Sequence, residues 1–237
     1  MKKIVMASLL ATSVLLTNCT SLNTGGTTTQ NSNIPLNTVQ SVLNNGTQEA
    51  FSVFGDSNEF MTNALIDAAM PQQLKDINSK LTSLGLSSIV EKEQALISDI
   101  ANASITTAKP IVTKAINEMT AQDAISIISG GKGAATSYLK DKTYTDLINA
   151  ITPVVSQKTE ALGVNDLLNN ALGANSSSLN SILGSVLGTS TTTNNTSDIL
   201  TDAVTKQLTD GLFNIVEDTE NNVRSNPSTI LNSVLSN

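Results

Sequence analysis

The chain has 237 residues, a net charge of −7, 39% hydrophobic and 14% charged residues, one cysteine, no tryptophan and no histidine. Without histidine there is no His-based triad and no His-ligated metal, and a single thiol allows neither a thiolate cluster nor an internal disulfide. The acidic balance repels phosphate backbones and anionic headgroups, which excludes nucleic acid as an electrostatic partner.

Lys2 and Lys3 precede an uncharged apolar run, Ile4 to Leu16. This is the layout of a secretory signal, and the run is shorter than the ~20 residues needed to span a bilayer. Leu16-Thr17-Asn18-Cys19 follows, and it resembles the lipobox of bacterial lipoproteins. That resemblance implies a diacylglycerol on the Cys19 sulfur, cleavage after residue 18 and acylation of the new amino group. An exported protein normally has paired cysteines or none, so a lone sulfur consumed by lipid fits the compartment. Residues 1–18 hold two lysines and no acid, so the remainder carries 11 basic and 20 acidic residues, a net −9. Residues 20–33 are polar and uncharged and read as a flexible tether, with an r.m.s. reach of roughly 20 Å.

From there the periodicity is helical. Pro35 opens a predicted helix to about Phe54, with Leu36, Val39, Leu43, Ala50 and Phe54 on one face and Gly46 as a weak point. Residues 59–70 are ambiguous. Pro71 starts a helix with Leu74, Ile77, Leu81 and Leu84 in register, and Gly85 stands at its C-terminal stop. Ser88 and Glu91 have capping-box spacing and open a long helix that Pro110 is expected to break or kink. Thr120 and Asp123 have the same spacing before Ile125, Ile127 and Ile128, and Gly130-Gly131 ends that helix. The next runs from about Gly133 to Gly163, kinked at Pro153, with Leu147, Ile151, Val154, Val155, Lys158 and Leu162 on one stripe. Residues 173–197 are an uncharged low-complexity insert around a short apolar stripe, Leu179 to Leu187. Its polar face carries Ser, Asn and Gly where a membrane-surface helix carries Lys or Arg, which argues against docking on lipid; docking on its own domain is favoured, with a partner second. Asp198 is placed to cap the last long helix, with Leu200, Val204, Leu208, Leu212 and Ile215 inward, and Pro227 sets off a final segment. SILGSVL (181–187) echoes TILNSVL (229–235), a match that a Ser/Asn/Leu-rich composition produces by chance. Strand-like alternation is scarce, so the expected fold is all-α, one bundle-like multi-helix domain over residues 34–237.

AKPIVTKAINEMTAQDAISIISGGKGAATSYLKDKT (108–143) and LTDGLFNIVEDTENNVRSNP (208–227) resemble the bacterial domain of unknown function 4197 family, found in exported proteins and lipoproteins. The pairing of DAISIISGG with AATSYL is the more specific element. The insert at 173–197 and Asn221-Asn222 depart from the pattern. The resemblance implies a mostly helical domain and supplies no mechanism.

Three features invite chemistry. GGKGAATS (130–137) is a glycine-rich turn feeding a helix N-terminus, as in phosphate-binding loops, but Lys132 is followed by Gly133 and the turn follows a helix. The structural reading is stronger: Gly130 and Gly131 stop a helix, Ala134 and Ala135 allow close approach, Thr136 lies in the same turn and Tyr138 anchors. A positive φ at Gly131 is expected. Glu217, Asp218 and Glu220 form an acidic knot too small to hold a metal alone. Arg224, the sole arginine, follows Glu220 by one turn, as an exposed pair or as a buried link to Asp210 or another carboxylate. No catalytic residue, metal or cofactor is expected. The sequence therefore predicts a lipid-anchored, non-catalytic envelope protein on the outer membrane, facing the periplasm, that engages a protein partner. By resemblance to enteric sorting rules, Thr20 in place of aspartate after the cysteine favours the outer membrane. The alternative is a carrier of an apolar ligand between helices.

Overall fold

In the computed structural model, residues 34–83, 85–161 and 196–226 are described, and all their regular structure is helical. The elements are α1 (Ile34–Gly55), α2 (Ser57–Thr62), α3 (Ala64–Ala69), α4 (Gln72–Ser83), α5 (Ser87–Asn117), α6 (Ala121–Ser129), α7 (Ala134–Ala161) and α8 (Thr196–Ser225). The all-α expectation holds. The predicted signal, lipobox, tether and final segment lie outside the described residues, as do the insert up to residue 195, Leu84 and Leu162; the last two residues of the insert already belong to α8.

Four long helices carry the domain. α1 packs on α8, α8 on α7, α7 on α5 and α5 back on α1, while the diagonal α1 and α7 barely touch. Each turns an apolar stripe inward. Val39, Leu43, Ala50 and Phe54 of α1 are buried, as are Leu147, Ile151 and Val155 of α7 and Val204, Leu208, Leu212 and Ile215 of α8. Burying such a side chain contributes about 1.5–3 kcal/mol against exposure. Few aromatics are available, and they pair: Phe54 meets Phe60 edge-on at 5.6 Å, and Tyr144 stacks on Phe213 at 6.2 Å.

Gly46 has a structural use. A Cβ there would lie 3.2 Å from the Val216 Cα, so glycine lets α1 and α8 approach backbone to backbone. The ambiguous 59–70 stretch is two single-turn pieces, each begun by a side-chain cap. Asp56 accepts from the Asn58 and Glu59 N–H groups at 2.9 Å, and Asn63 accepts from Leu65 and Ile66 at 2.9 and 3.4 Å. α3 then lies along α8, where Asn214 Nδ2 donates to the Leu65 carbonyl at 3.0 Å. α4 ends before Gly85, whose φ of +78° supplies the left-handed stop.

Three expectations are corrected. α5 starts at Ser87 behind Leu86, with no side-chain cap, so Ser88 is already inside the helix and the Ser88–Glu91 box does not form. Pro110 and Pro153 break neither helix: α5 and α7 continue through them. Both prolines face solvent, while Ala108, Val112, Ile151 and Val155 alongside are buried and hold the helical path. Asp198 is not the cap of α8, which begins two residues earlier at Thr196.

Candidate functional site

The turn joining α6 to α7 gathers most of the residues that the sequence singled out. α6 begins with a complete capping box. Thr120 Oγ1 accepts from the Asp123 N–H at 3.1 Å, and Asp123 Oδ2 accepts from the Thr120 N–H at 2.9 Å and its hydroxyl at 2.6 Å. The Thr120 hydrogen bonds hold the Asp123 carboxyl below its ordinary range. α6 stops at Gly130, whose N–H reaches the Ser126 and Ile127 carbonyls. A Cβ on Gly130 would fall 2.6 Å from that of Ala134, so this turn closes only around a glycine. The left-handed residue is Gly133, with φ of +72°; Gly131 does not have the expected positive φ, and a Cβ there meets open space. The reversal is thus made at the last residue before α7.

No Ser, Thr, Asp or Asn directly precedes Ala134, so α7 has no local cap. Glu220, from α8, takes that place. It is 1% exposed, and it accepts from the Ala135 N–H at 2.9 Å, the Thr136 N–H at 2.8 Å and the Thr136 hydroxyl at 2.8 Å. The Ala134 N–H goes to the Gly131 carbonyl and the Ser137 N–H to that of Gly133. All four leading donors of α7 therefore have protein partners. An anion at a helix N-terminus satisfies both the orphan N–H groups and the macrodipole.

Arg224 closes the arrangement. Its Nε donates to Glu220 Oε1 at 2.8 Å, and its Nη2 and Nη1 reach the Ile127 and Gly130 carbonyls at 3.0 and 3.5 Å. One carboxylate and one guanidinium thus cap the start of α7 and the end of α6 with the charge that each end prefers. The i, i+4 pairing of Glu220 with Arg224 that the spacing suggested forms, but it is not the exposed pair, and the buried link does not run to Asp210. The Glu220 carboxylate is fully buried, and Asp210 instead binds Lys140 at 2.9 Å and Lys206 at 3.5 Å. The acidic knot also divides. Glu220 is the cap, a Cβ on Gly133 would lie 3.0 Å from Glu217 Oε1, and Asp218 accepts from Asn222 at 2.9 Å. Among the described residues no group of three or more acidic side chains is placed to hold a metal.

The phosphate-loop alternative meets a physical obstacle here, since its N–H groups are already occupied by Glu220. Of the predicted residues, Gly130, Ala135, Thr136 and Arg224 touch one network; Ala134 supports the turn, Gly131 lies beside it, and Tyr138 is one turn further along α7. Desolvation, then the nearby Asp123 carboxylate, raises the Tyr138 phenol, whose hydroxyl sits 3.4 Å from Asp123 Oδ2. Sequence reasoning missed Glu220 as the partner. The missing cap before Ala134 was the available signal.

The sequence comparison decides the family. A family model described as protein of unknown function, DUF4197, matches residues 29–237. The chain belongs to this family. No curated protein and no solved structure matches it. In this DUF4197 protein the junction lies wholly within the matched region. Two neighbouring features could meet other molecules. A groove of about 810 Å³ between α5, α6 and α7 is lined by Ile111, Lys114, Asp123, Tyr138, Lys142 and Asp146, among others. Ile125 and Ile128 stand one turn apart on the outer side of α6, each 49% exposed. No described helix is long and apolar enough to cross a membrane.

Proposed function

We propose that this DUF4197 protein is a lipid-anchored envelope protein whose helical domain has a non-catalytic, protein-engaging role. The observation that carries the non-catalytic reading is the use made of its deepest charges. Both Glu220 oxygens and all four leading N–H groups of α7 are committed to bonds within the domain. A catalytic acid or an anion cradle needs such groups free. The anchor rests on Leu16-Thr17-Asn18-Cys19 and on the lone cysteine. Thr20 favours the outer membrane, with the domain facing the periplasm. The α5–α7 groove supports a partner over an apolar ligand, since Lys114, Asp123, Lys142 and Asp146 line it.

Metabolic labelling with a radioactive fatty acid tests the anchor: wild type incorporates label and Cys19→Ser does not, and equal labelling of the two sinks the reading. Proximity labelling from the intact protein in cells tests the role. One recurrent envelope protein is the expected outcome. A stoichiometric lipid co-purifying with the gently isolated protein would instead favour the carrier.

A further inference from the structure

α4 is a twelve-residue helix held on α5 by Leu74 and Leu81, both buried. Inside that contact lies a polar pair. Asn78 of α4 is 9% exposed, and its side-chain amide lies against the carboxyl of Glu93 on α5. Two acceptors in the pair have no donor: Glu93 Oε1 and Asn78 Oδ1 are both sealed from solvent and unpartnered. A buried acceptor without a donor is costly, and two neighbouring side chains here lack the same thing, a proton.

We propose that the α4–α5 contact is a proton-operated latch: one proton taken up by Glu93 gives the pair its missing donor and seats α4 on α5, and loss of that proton loosens α4. A carboxylic acid and a primary amide are complementary. The acid O–H donates to the amide oxygen while the amide N–H donates to the acid carbonyl. An ionised carboxylate can only accept, so it leaves Asn78 Oδ1 unmet.

Among the described residues no competing charge is paired with Glu93. On α4, Asp76 and Lys80 are exposed and Lys75 is half-buried; on α5, Glu91, Lys92 and Asp99 are exposed; on α8, which also touches α4, Asp202 and Lys206 are exposed. None of these forms an ion pair with Glu93, and Lys206 is engaged with Asp210 and Tyr144. Burial pushes the Glu93 carboxyl up to about 7, against a small opposing pull from Asn78. The sign follows from that direction. A carboxyl raised from 4.5 to about 7 in the closed state favours closure below pH 4.5, and the advantage is lost as pH rises through 7.

Hydrogen exchange of the full chain, corrected for intrinsic rates, reads the latch in peptides covering residues 72–83. Protection there should fall by roughly 70-fold between pH 5 and pH 8, the ratio set by a midpoint moving from 4.5 to about 7. Peptides from α7 serve as the internal control and should stay level. In Glu93→Gln, which keeps an amide pair and cannot ionise, the α4 slope should disappear. A level wild-type profile, a slope shared with α7, or an undiminished slope in Glu93→Gln each overturns the proposal. If Glu93→Gln does not fold, the comparison of α4 with α7 in wild type still decides.

Discussion

Replacing Glu220 with glutamine is the sharpest perturbation of the junction, because it keeps the shape and removes the charge. In wild type, Oε1 accepts from the Ala135 N–H and Arg224 Nε, and Oε2 accepts from the Thr136 N–H and hydroxyl. An amide offers one oxygen, so in either orientation its NH₂ faces at least one main-chain or guanidinium donor. The Thr136 hydroxyl can rotate to accept, but the Thr136 N–H cannot. One buried donor left unmet costs about 1–3 kcal/mol, and losing the charge-assisted bond to Arg224 adds to it. We expect Glu220→Gln to lose about 2–4 kcal/mol and Glu220→Ala about 3–5 kcal/mol, the range for breaking a buried pair. Arg224 is 26% exposed in its side chain, so water relieves part of its loss and keeps the figures at the lower end. Against a domain stability of about 5–15 kcal/mol this is a large fraction. Urea denaturation followed by far-UV circular dichroism measures it, with the slope against denaturant unchanged. A double-mutant cycle with Arg224→Ala should give a coupling above about 1 kcal/mol. A Glu220→Gln protein within about 0.5 kcal/mol of wild type would refute the reasoning, since such a value belongs to an ordinary surface site.

The other expectations are read in the same assay. Gly133→Ala should cost about 1–2 kcal/mol through its left-handed backbone, more if Glu217 cannot move aside. Gly131→Ala, with open space around it, should stay within about 0.5 kcal/mol of wild type; a reversed order of these two would show that the turn is misplaced. Thr120→Ala removes the hydroxyl that accepts from the Asp123 N–H and donates to Asp123 Oδ2, leaves the main-chain half of the α6 box, and should cost about 0.5–2 kcal/mol, with no change counting against a cap in solution. Gly46→Leu should destabilise by about 1–3 kcal/mol by forcing α1 off α8, and an unaltered midpoint would mean that the helices do not approach so closely.

The sequence pattern carried the long helices because an inward stripe repeats on each: Val39 and Leu43 on α1, Leu147 and Ile151 on α7, Val204, Leu208 and Leu212 on α8 all proved buried. The Thr120 cap was legible because its two partners lie three residues apart. The Ser88–Glu91 pair has equal spacing, yet α5 begins two residues too early for it, and spacing alone cannot fix where a helix starts. Pro110 and Pro153 mislead for a related reason. A proline forfeits one hydrogen bond, and on a solvent-facing side water can take the freed carbonyl while the buried flank keeps the helix continuous. The turn at 130–133 was identifiable as a turn, but its left-handed residue was not, since four residues include three glycines that can each adopt it. Glu220 was hidden because its donors stand 84 and 85 residues earlier in the chain, beyond any local pattern.

That separation has a consequence for the order of assembly. The α6–α7 corner is synthesised long before the acid and base that complete it, which come from near the end of α8. A nascent chain stopped short of residue 220 has every helix of the corner and none of its closing charges. The corner must wait with bare amides at one helix end and bare carbonyls at the other, so its final closure belongs to a late, long-range step rather than to local hairpin formation.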